Sequence, residues 1–188
     1  KGETDFTKSF VSWIMSRKIY VSRLTFEGNN FFESFMKSYL KSNLVDKVTS
    51  FSLCNSTKSI DSIASFLDGL PALEEIHLTS SEYVTNKVIT NILKMNNLSS
   101  ISVMNLSGAN TISTDTFKKI AKECPQLHDV TFSGKNVNDS VIKALTKDVP
   151  NLKRINVSGV ENLDSNCLIE LFKSHPHMEA VDISFCSL

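Results

Sequence analysis

The stretch PNLKRINVSGVENLDSNCLIELFKSHPHMEAVDISFC, residues 150–186, states one pattern twice. Leu152, Ile155 and Val157 return as Met178, Val181 and Ile183 at the same internal spacing, 26 residues later. An apolar-x-x-apolar-x-apolar run is the pattern of a short strand with one buried face. Working outward, the template also fits Leu127, Val130, Phe132; Leu98, Ile101, Val103; Leu73, Ile76, Leu78; Val48, Phe51, Leu53; and Val21, Leu24, Phe26. The first positions of these runs lie 27, 25, 25, 29, 25 and 26 residues apart. A period of this length is the signature of a repeat architecture.

Between the runs the apolar period changes from 2 to 3.6. Ile60, Ile63, Ala64 and Leu67 share one helical face, as do Val141, Ile142, Leu145 and Val149. Ser59, Ser113 or Thr114, Asn138 and Asp164 stand where a side-chain oxygen can cap the first free helix amides. Pro71, Pro125, Pro150 and Pro176 each fall two residues before a strand's first apolar position, outside the helices they would break. Phe6, Phe10, Trp13 and Ile14 form a helical stripe that completes the unit ahead of Val21. A lone strand and helix cannot bury their apolar faces, so the units must stack on one another. The expectation is an α/β solenoid, a single domain over residues 1–188 with about six and a half repeats.

Bulk properties narrow the function. Twenty basic residues balance twenty acidic ones, so no global field draws the chain to nucleic acid or an anionic membrane. The apolar runs are far shorter than the roughly 20 residues that span a bilayer. The sequence opens at Lys1 without Met, and it reads as a segment of a longer protein. Cys54, Cys124, Cys167 and Cys186 lie singly, with no metal-binding spacing. That usage suits a reducing, intracellular setting, cytoplasmic or nuclear. Five Asn-x-Ser/Thr sequons, at Asn55, Asn97, Asn105, Asn138 and Asn156, pull weakly the other way in so Asn-rich and Ser-rich a chain.

Together these residues resemble a leucine-rich repeat domain, over essentially the whole chain. PQLHDVTFSGKNVNDSVIKAL and PNLKRINVSGVENLDSNCLIELF are similar to the repeats of F-box-type, ribonuclease-inhibitor-like proteins. Asn29 and Cys186 stand at the ninth repeat position, which in that pattern bonds the loop backbone. The resemblance implies a curved horseshoe with a parallel sheet on the concave face and helices on the convex face. It implies a protein or peptide partner and no cofactor. Two readings stay open: the substrate-recognition part of an SCF-type ubiquitin ligase receptor, and the ligand-sensing or autoinhibitory region of a nucleotide-binding innate-immune receptor.

Side chains alternate across a strand, so the residues between the apolar ones line the concave face. The central row reads Thr25, Ser52, His77, Ser102, Thr131, Asn156, Asp182. One flank reads Arg23, Ser50, Glu75, Ser100, Asp129, Arg154, Ala180, and the other Glu27, Cys54, Thr79, Met104, Ser133, Ser158, Ser184. Arg23, Glu75, His77, Asp129, Arg154 and Asp182 are the strongest candidate anchors for a partner, with Thr25, Glu27, Ser102, Met104, Thr131, Asn156 and Ser184 around them. The plain alternative is a solvated sheet face. Phe10 and Trp13 mark a second surface, the N-terminal edge, suited to further repeats or a neighbouring domain.

Catalytic patterns are thin. His175 and His177 flank Pro176 without a third metal ligand at a recognisable spacing. Glu75 and His77 share a strand face, which suits an exposed polar pair as well as acid-base chemistry. SGKNVNDS, residues 133–140, lacks the Gly-Lys-Ser/Thr ending of a phosphate-binding loop. The sequence reads as a binding module and not an enzyme.

Overall fold

The computed structural model describes residues 2–28, 33–56, 62–80, 83–161 and 163–186. Helix and strand alternate through them: α1 Gly2–Ser16, β1 Arg23–Glu27, α2 Glu33–Leu40, β2 Ser50–Cys54, α3 Ile63–Asp68, β3 Glu75–Thr79, α4 Asn86–Ile92, β4 Val103–Leu106, α5 Thr114–Glu123, β5 Asp129–Phe132, α6 Asp139–Asp148, β6 Arg154–Asn156, α7 Ser165–Ser174 and β7 Ala180–Asp182. The strands form one parallel sheet whose spatial order is the chain order, β1 to β7. Every unit therefore lies beside its sequence neighbour, as the constant period requires. Asn29, Ser59 and Ile60 fall outside the described residues. No helix among the described residues is long and apolar enough to cross a membrane.

One backbone device recurs at each step. The carbonyl of the residue before a strand accepts two amides from the next unit: Ser22 O from Thr49 and Ser50 (2.8 and 3.0 Å), and Thr49 O from Glu74 and Glu75 (2.8 and 3.0 Å). Glu74, Ser102, His128 and Lys153 continue the series, the last accepting from Glu179 and Ala180 at 2.7 and 3.2 Å. These bonds fix the register with which each strand enters the sheet.

The apolar template points inward through the middle of the stack, while at its two ends Phe26, Met178 and Ile183 are half-buried and Val181 is 41% exposed. Phe51, Leu53, Ile76, Leu78, Val130, Phe132 and Val157 are fully buried, and Ile155 nearly so. Ring contacts link the first three units, with Phe26 to Phe35 at 5.3 Å, Phe35 to Tyr39 at 5.3 Å, and Phe51 to both Phe26 (5.9 Å) and Phe66 (5.8 Å). Caps appear at Ser113, Asn138 and Asp164, whose side chains accept from the amides of Thr116, Ser140 and Asn166. Thr85 caps α4 in the same way by accepting from Val88 N–H.

Two expectations are corrected. The fourth strand is Ile101, Met104, Leu106 in register, not Leu98, Ile101, Val103. Met104 pairs with Ile76 and Val130, and Asn105 with His77 and Thr131. Leu98–Ser100 forms a 3-10 turn ahead of Ile101, the counterpart of Val45–Lys47 ahead of Val48. Both templates fit the string LSSISVMNL, and packing selects the one that leaves Met104 and Leu106 at 1% and 0% exposure. Among the described side chains of α1, from Ser9 on, Val11 and Ile14 are buried, while Phe10 and Trp13 are 41% and 52% exposed; the side chain of Phe6 lies outside the described ones. Those two rings do not complete the first unit.

Polar side chains near the helix-to-strand turns tie unit to unit. Asn97 Nδ2 donates to Leu67 O and Leu70 O, both at 2.9 Å, and Gln126 Nε2 to Leu98 O and Ile101 O at 2.7 and 2.8 Å. His175, only 4% exposed, bridges Leu171 O and Val149 O with its two ring nitrogens, each at 2.9 Å. That use accounts for the first histidine of the HPH triplet. Asn97→Ala removes one of two amides from each carbonyl, Leu67 O keeping Leu70 N–H and Leu70 O keeping Leu73 N–H, and a loss of about 1 kcal/mol in urea unfolding is expected. An unchanged midpoint would show that water replaces the amide there.

Candidate functional site

The face of the sheet opposite the helices carries three rows of side chains in register. Arg23, Ser50, Glu75, Val103, Asp129, Arg154 and Ala180 form the first, and Thr25, Ser52, His77, Asn105, Thr131, Asn156 and Asp182 the second. The third contains Glu27, Cys54 and Thr79, paired in register, and runs on by strand spacing through Ser107, Ser133, Ser158 and Ser184. The register correction removes Met104, which is buried. It also moves Ser102 out of the central row into the series of carbonyl acceptors that precede the strands. Val103, Asn105 and Ser107 take the vacated places.

The ion pairs on this face, among the described residues, gather at the C-terminal half. Arg154 donates to Glu179 Oε2 at 2.7 Å and lies 3.7 Å from Asp129 Oδ2, and Lys153 reaches Glu179 Oε1 at 3.2 Å. The hydrogen bond and charge of Lys153, with Arg154 adding to them, hold the Glu179 carboxyl below the usual carboxylate range. Arg154 and Glu179 are 48% and 43% exposed, so this network adds little to stability. At the other half Glu75 and His77 pair at 3.5 Å, and Arg23 is exposed. Ser50 Oγ lies buried beneath them with no hydrogen-bond partner.

Part of the central row has a second job that the sequence reading missed. Asn105, Asn156 and Asp182 each accept, through the side-chain oxygen, the amide two residues on, from Ser107, Ser158 and Ser184 at 3.0, 3.0 and 2.9 Å. These are turns in which a short polar side chain replaces a backbone acceptor at the strand exit. Asn156 Nδ2 also donates to Asp182 Oδ2 at 3.0 Å. The Ser184 amide, then its hydroxyl, then Asn156 hold the Asp182 carboxyl low against the opposing effect of desolvation. The signal was present as Asn-x-Ser and Asp-x-Ser at strand ends. Gly108 and Gly159 follow the first two turns at positive φ, both +73°, and a Cβ on Gly108 would come within 3.1 Å of the Ser80 backbone.

The sequons share this structural chemistry. The amide nitrogens of Asn97 and Asn138 bond neighbouring units, as does that of Asn156. Among the described residues no group of three or more His, Cys, Asp or Glu side chains is placed to hold a metal ion.

The cysteines divide into two classes. Cys124 and Cys167 are buried, while Cys54 and Cys186 are half-buried, their Sγ atoms bonded to Phe26 O at 3.6 Å and Val157 O at 3.2 Å. The Cys186 contact is the loop-backbone bond expected at the ninth repeat position. Burial, with the charge of Glu123, pushes the Cys124 thiol from 9.0 up to about 12, and burial pushes Tyr39 up to about 12. The folded chain keeps these protons where the unfolded chain gives them up. Their contribution is therefore fully present below pH 9 and is lost as pH rises towards about 12. A stability loss of about 2 kcal/mol per group or less is expected between about pH 8 and about pH 10.5 in urea unfolding. Alkylation followed by mass spectrometry should modify Cys54 and Cys186 first, and early modification of Cys124 would contradict its burial.

No family model matches the chain. Among solved structures it superposes on leiomodin-1 actin-binding site 2 with a TM-score of 0.56 at 14% identity, covering 75% of this chain and 86% of that one. The fold is a leucine-rich-repeat horseshoe. Its open sheet face is the concave one, with the helices on the convex side. Lower similarity extends to the tropomodulin C-terminal domain of Caenorhabditis elegans, with TM-score 0.49, 13% identity, and 91% and 92% coverage of this chain and that one. It extends also to a chain of the yeast Rad7 and Elc1 complex, at TM-score 0.34, 11% identity, and 98% and 85% coverage.

Proposed function

We propose that this leucine-rich-repeat chain is a non-catalytic module that recognises a protein partner on its concave face. The observation that carries the reading is the set of registered polar rows, above all the network of exposed Arg154 and Glu179 with half-buried Asp129 on a sheet locked by paired amides. A surface fixed in this way loses little ordering entropy on binding, and alternating charges select a partner of complementary pattern. Arg23, Thr25, Glu75, His77, Thr131 and Asp182 extend the same surface. The use of this fold as an actin-binding site in leiomodin-1 supports a protein as the ligand class.

The finer reading is substrate recognition within an SCF-type ubiquitin ligase receptor, supported by the F-box-type pattern of residues 125–145 and 150–172. The test is a pull-down from cell extract with the wild type beside the double variant Arg154→Ala, Asp129→Ala. Loss of a retained protein in the variant supports the concave site, and ubiquitin-ligase components among the retained proteins support the finer reading. Equal retention by both forms would remove Arg154 and Asp129 from the interface.

A further inference from the structure

The balance of acidic and basic residues over the whole chain conceals a separation between its two faces. On the inner side the strands β3, β4 and β5 carry Glu75 and Asp129 and no Lys or Arg. On the outer side the helices carry lysine in register. Counted from the caps Thr85, Ser113, Asn138 and Asp164, the ninth residue is Lys94, Lys122, Lys147 and Lys173 in turn. The fifth residue after Ser113 and after Asn138 is Lys118 and Lys143. All of these lysines are exposed.

Helical geometry puts them on the outermost line of the surface. In α4, α6 and α7 the third, fourth and seventh residues after the cap are buried, as Val141, Ile142 and Leu145 are in α6. At about 100° per residue, the fifth and ninth positions lie about 150° and about 170° round the helix from the middle of that buried face. Glu123 and Asp148, at the tenth position, turn back to about 70° from it and sit on the flank. In α5 and α6 the one carboxylate on the crest is Asp115, which pairs with Lys118 at 3.0 Å. Among the described residues Lys94, Lys122, Lys143, Lys147 and Lys173 make no ion pair.

Local helix stability does not account for this pattern. A lysine in the last turn complements the helix macrodipole, which covers the ninth position but not the fifth. Like charges repeated on neighbouring crests repel one another. Each of α4, α5 and α6 has a helix packed on either side, so their crests belong to the body of the stack and not to its ends.

The shape of the surface selects the kind of partner. Helices packed side by side stand about 10 Å apart, and an extended chain advances about 3.3 Å per residue. A segment crossing the helices therefore brings every third side chain over a crest. A flexible chain can follow a convex surface, whereas a flat bilayer touches it along a line, and α4, α5 and α6 expose no large apolar side chain to insert. Their crests hold no Arg and no aromatic ring to stack on bases.

We propose that the convex crest of α4, α5 and α6 binds an extended acidic segment of a protein, with Asp or Glu at every third position meeting Lys94, Lys122 and Lys147. Lys173 continues that line onto α7, and Lys118 and Lys143 run beside it. The surface is separate from the concave face, so the proposal stands whether or not that face has a partner.

The test is fluorescence anisotropy with a labelled peptide of about 15 residues that carries Glu at every third position among Ser and Gly. Binding by the wild type should weaken as salt rises from about 50 mM to about 300 mM. Lys122→Glu with Lys147→Glu should weaken it at least about tenfold. Lys47→Glu with Lys135→Glu makes the same change in net charge at exposed positions away from the crests, and should leave affinity within about twofold. Circular dichroism checks that both double variants stay folded. A single-stranded oligonucleotide of equal charge and vesicles containing phosphatidylserine should bind less tightly than the peptide. A wild type that does not bind the peptide up to about 1 mM, equal weakening in the two double variants, or tighter binding of the oligonucleotide or the vesicles would overturn the proposal.

Discussion

Met104→Lys is expected to abolish cooperative folding, while Val103→Lys, one residue away, leaves the unfolding midpoint in place. Met104 is 1% exposed and sits between Ile76 and Val130 in the sheet. An ammonium there has no partner, and an unpaired buried charge costs about 4 kcal/mol or more. A domain of this size holds only about 5–15 kcal/mol in total. Val103 lies on the concave face beside Glu75 and Asp129, where a lysine meets two carboxylates and is neutral or mildly stabilising. Urea unfolding followed by circular dichroism separates the two registers of the fourth strand. Loss of folding in the Val103 variant with retention in the Met104 variant would restore the Leu98, Ile101, Val103 alignment.

The second large effect is Phe51→Ala, for which a loss of about 3–5 kcal/mol is expected. Phe51 is fully buried at the junction of the aromatic contacts, 5.9 Å from Phe26 and 5.8 Å from Phe66. Removing the ring leaves a cavity shared by the first three units. In a repeat stack each unit is held mainly by its neighbours, so the damage should be uneven. Hydrogen exchange should show β1 to β3 losing protection while β5 and β6 retain it. Equal loss along the whole sheet would mean that the seven strands unfold as one body.

The parts of the fold that depend on residues close in sequence were legible. Alternation in RINV and EIHL named strands, Asn138 and Asp164 named helix starts, and the prolines marked turns. Where two patterns overlapped, the string was insufficient. LSSISVMNL carries two valid templates three residues apart, and only the match of Met104 to Ile76 across 28 residues decides between them. The same holds for α1, where Phe10 and Trp13 on one side of Ile14, or Val11 on the other, complete a helical stripe, and the fold buries Val11 with Ile14. On the concave face the residue types were readable but their partners were not. Arg154 to Glu179 spans 25 residues and Asn156 to Asp182 spans 26. Those contacts exist because the repeat length brings one unit beside the next, so they follow from the register and not from local spacing.

The recognition reading is tested most directly by affinity for the protein retained in the pull-down, measured by calorimetry with charge reversals on the two faces. Arg154→Glu reverses a charge in the concave row, and Lys118→Glu reverses one on α5 at the convex surface. Concave-face recognition predicts at least about a tenfold weakening for Arg154→Glu and an unchanged constant for Lys118→Glu. The opposite pattern, weakening by Lys118→Glu alone, would contradict it and move the site to the helices.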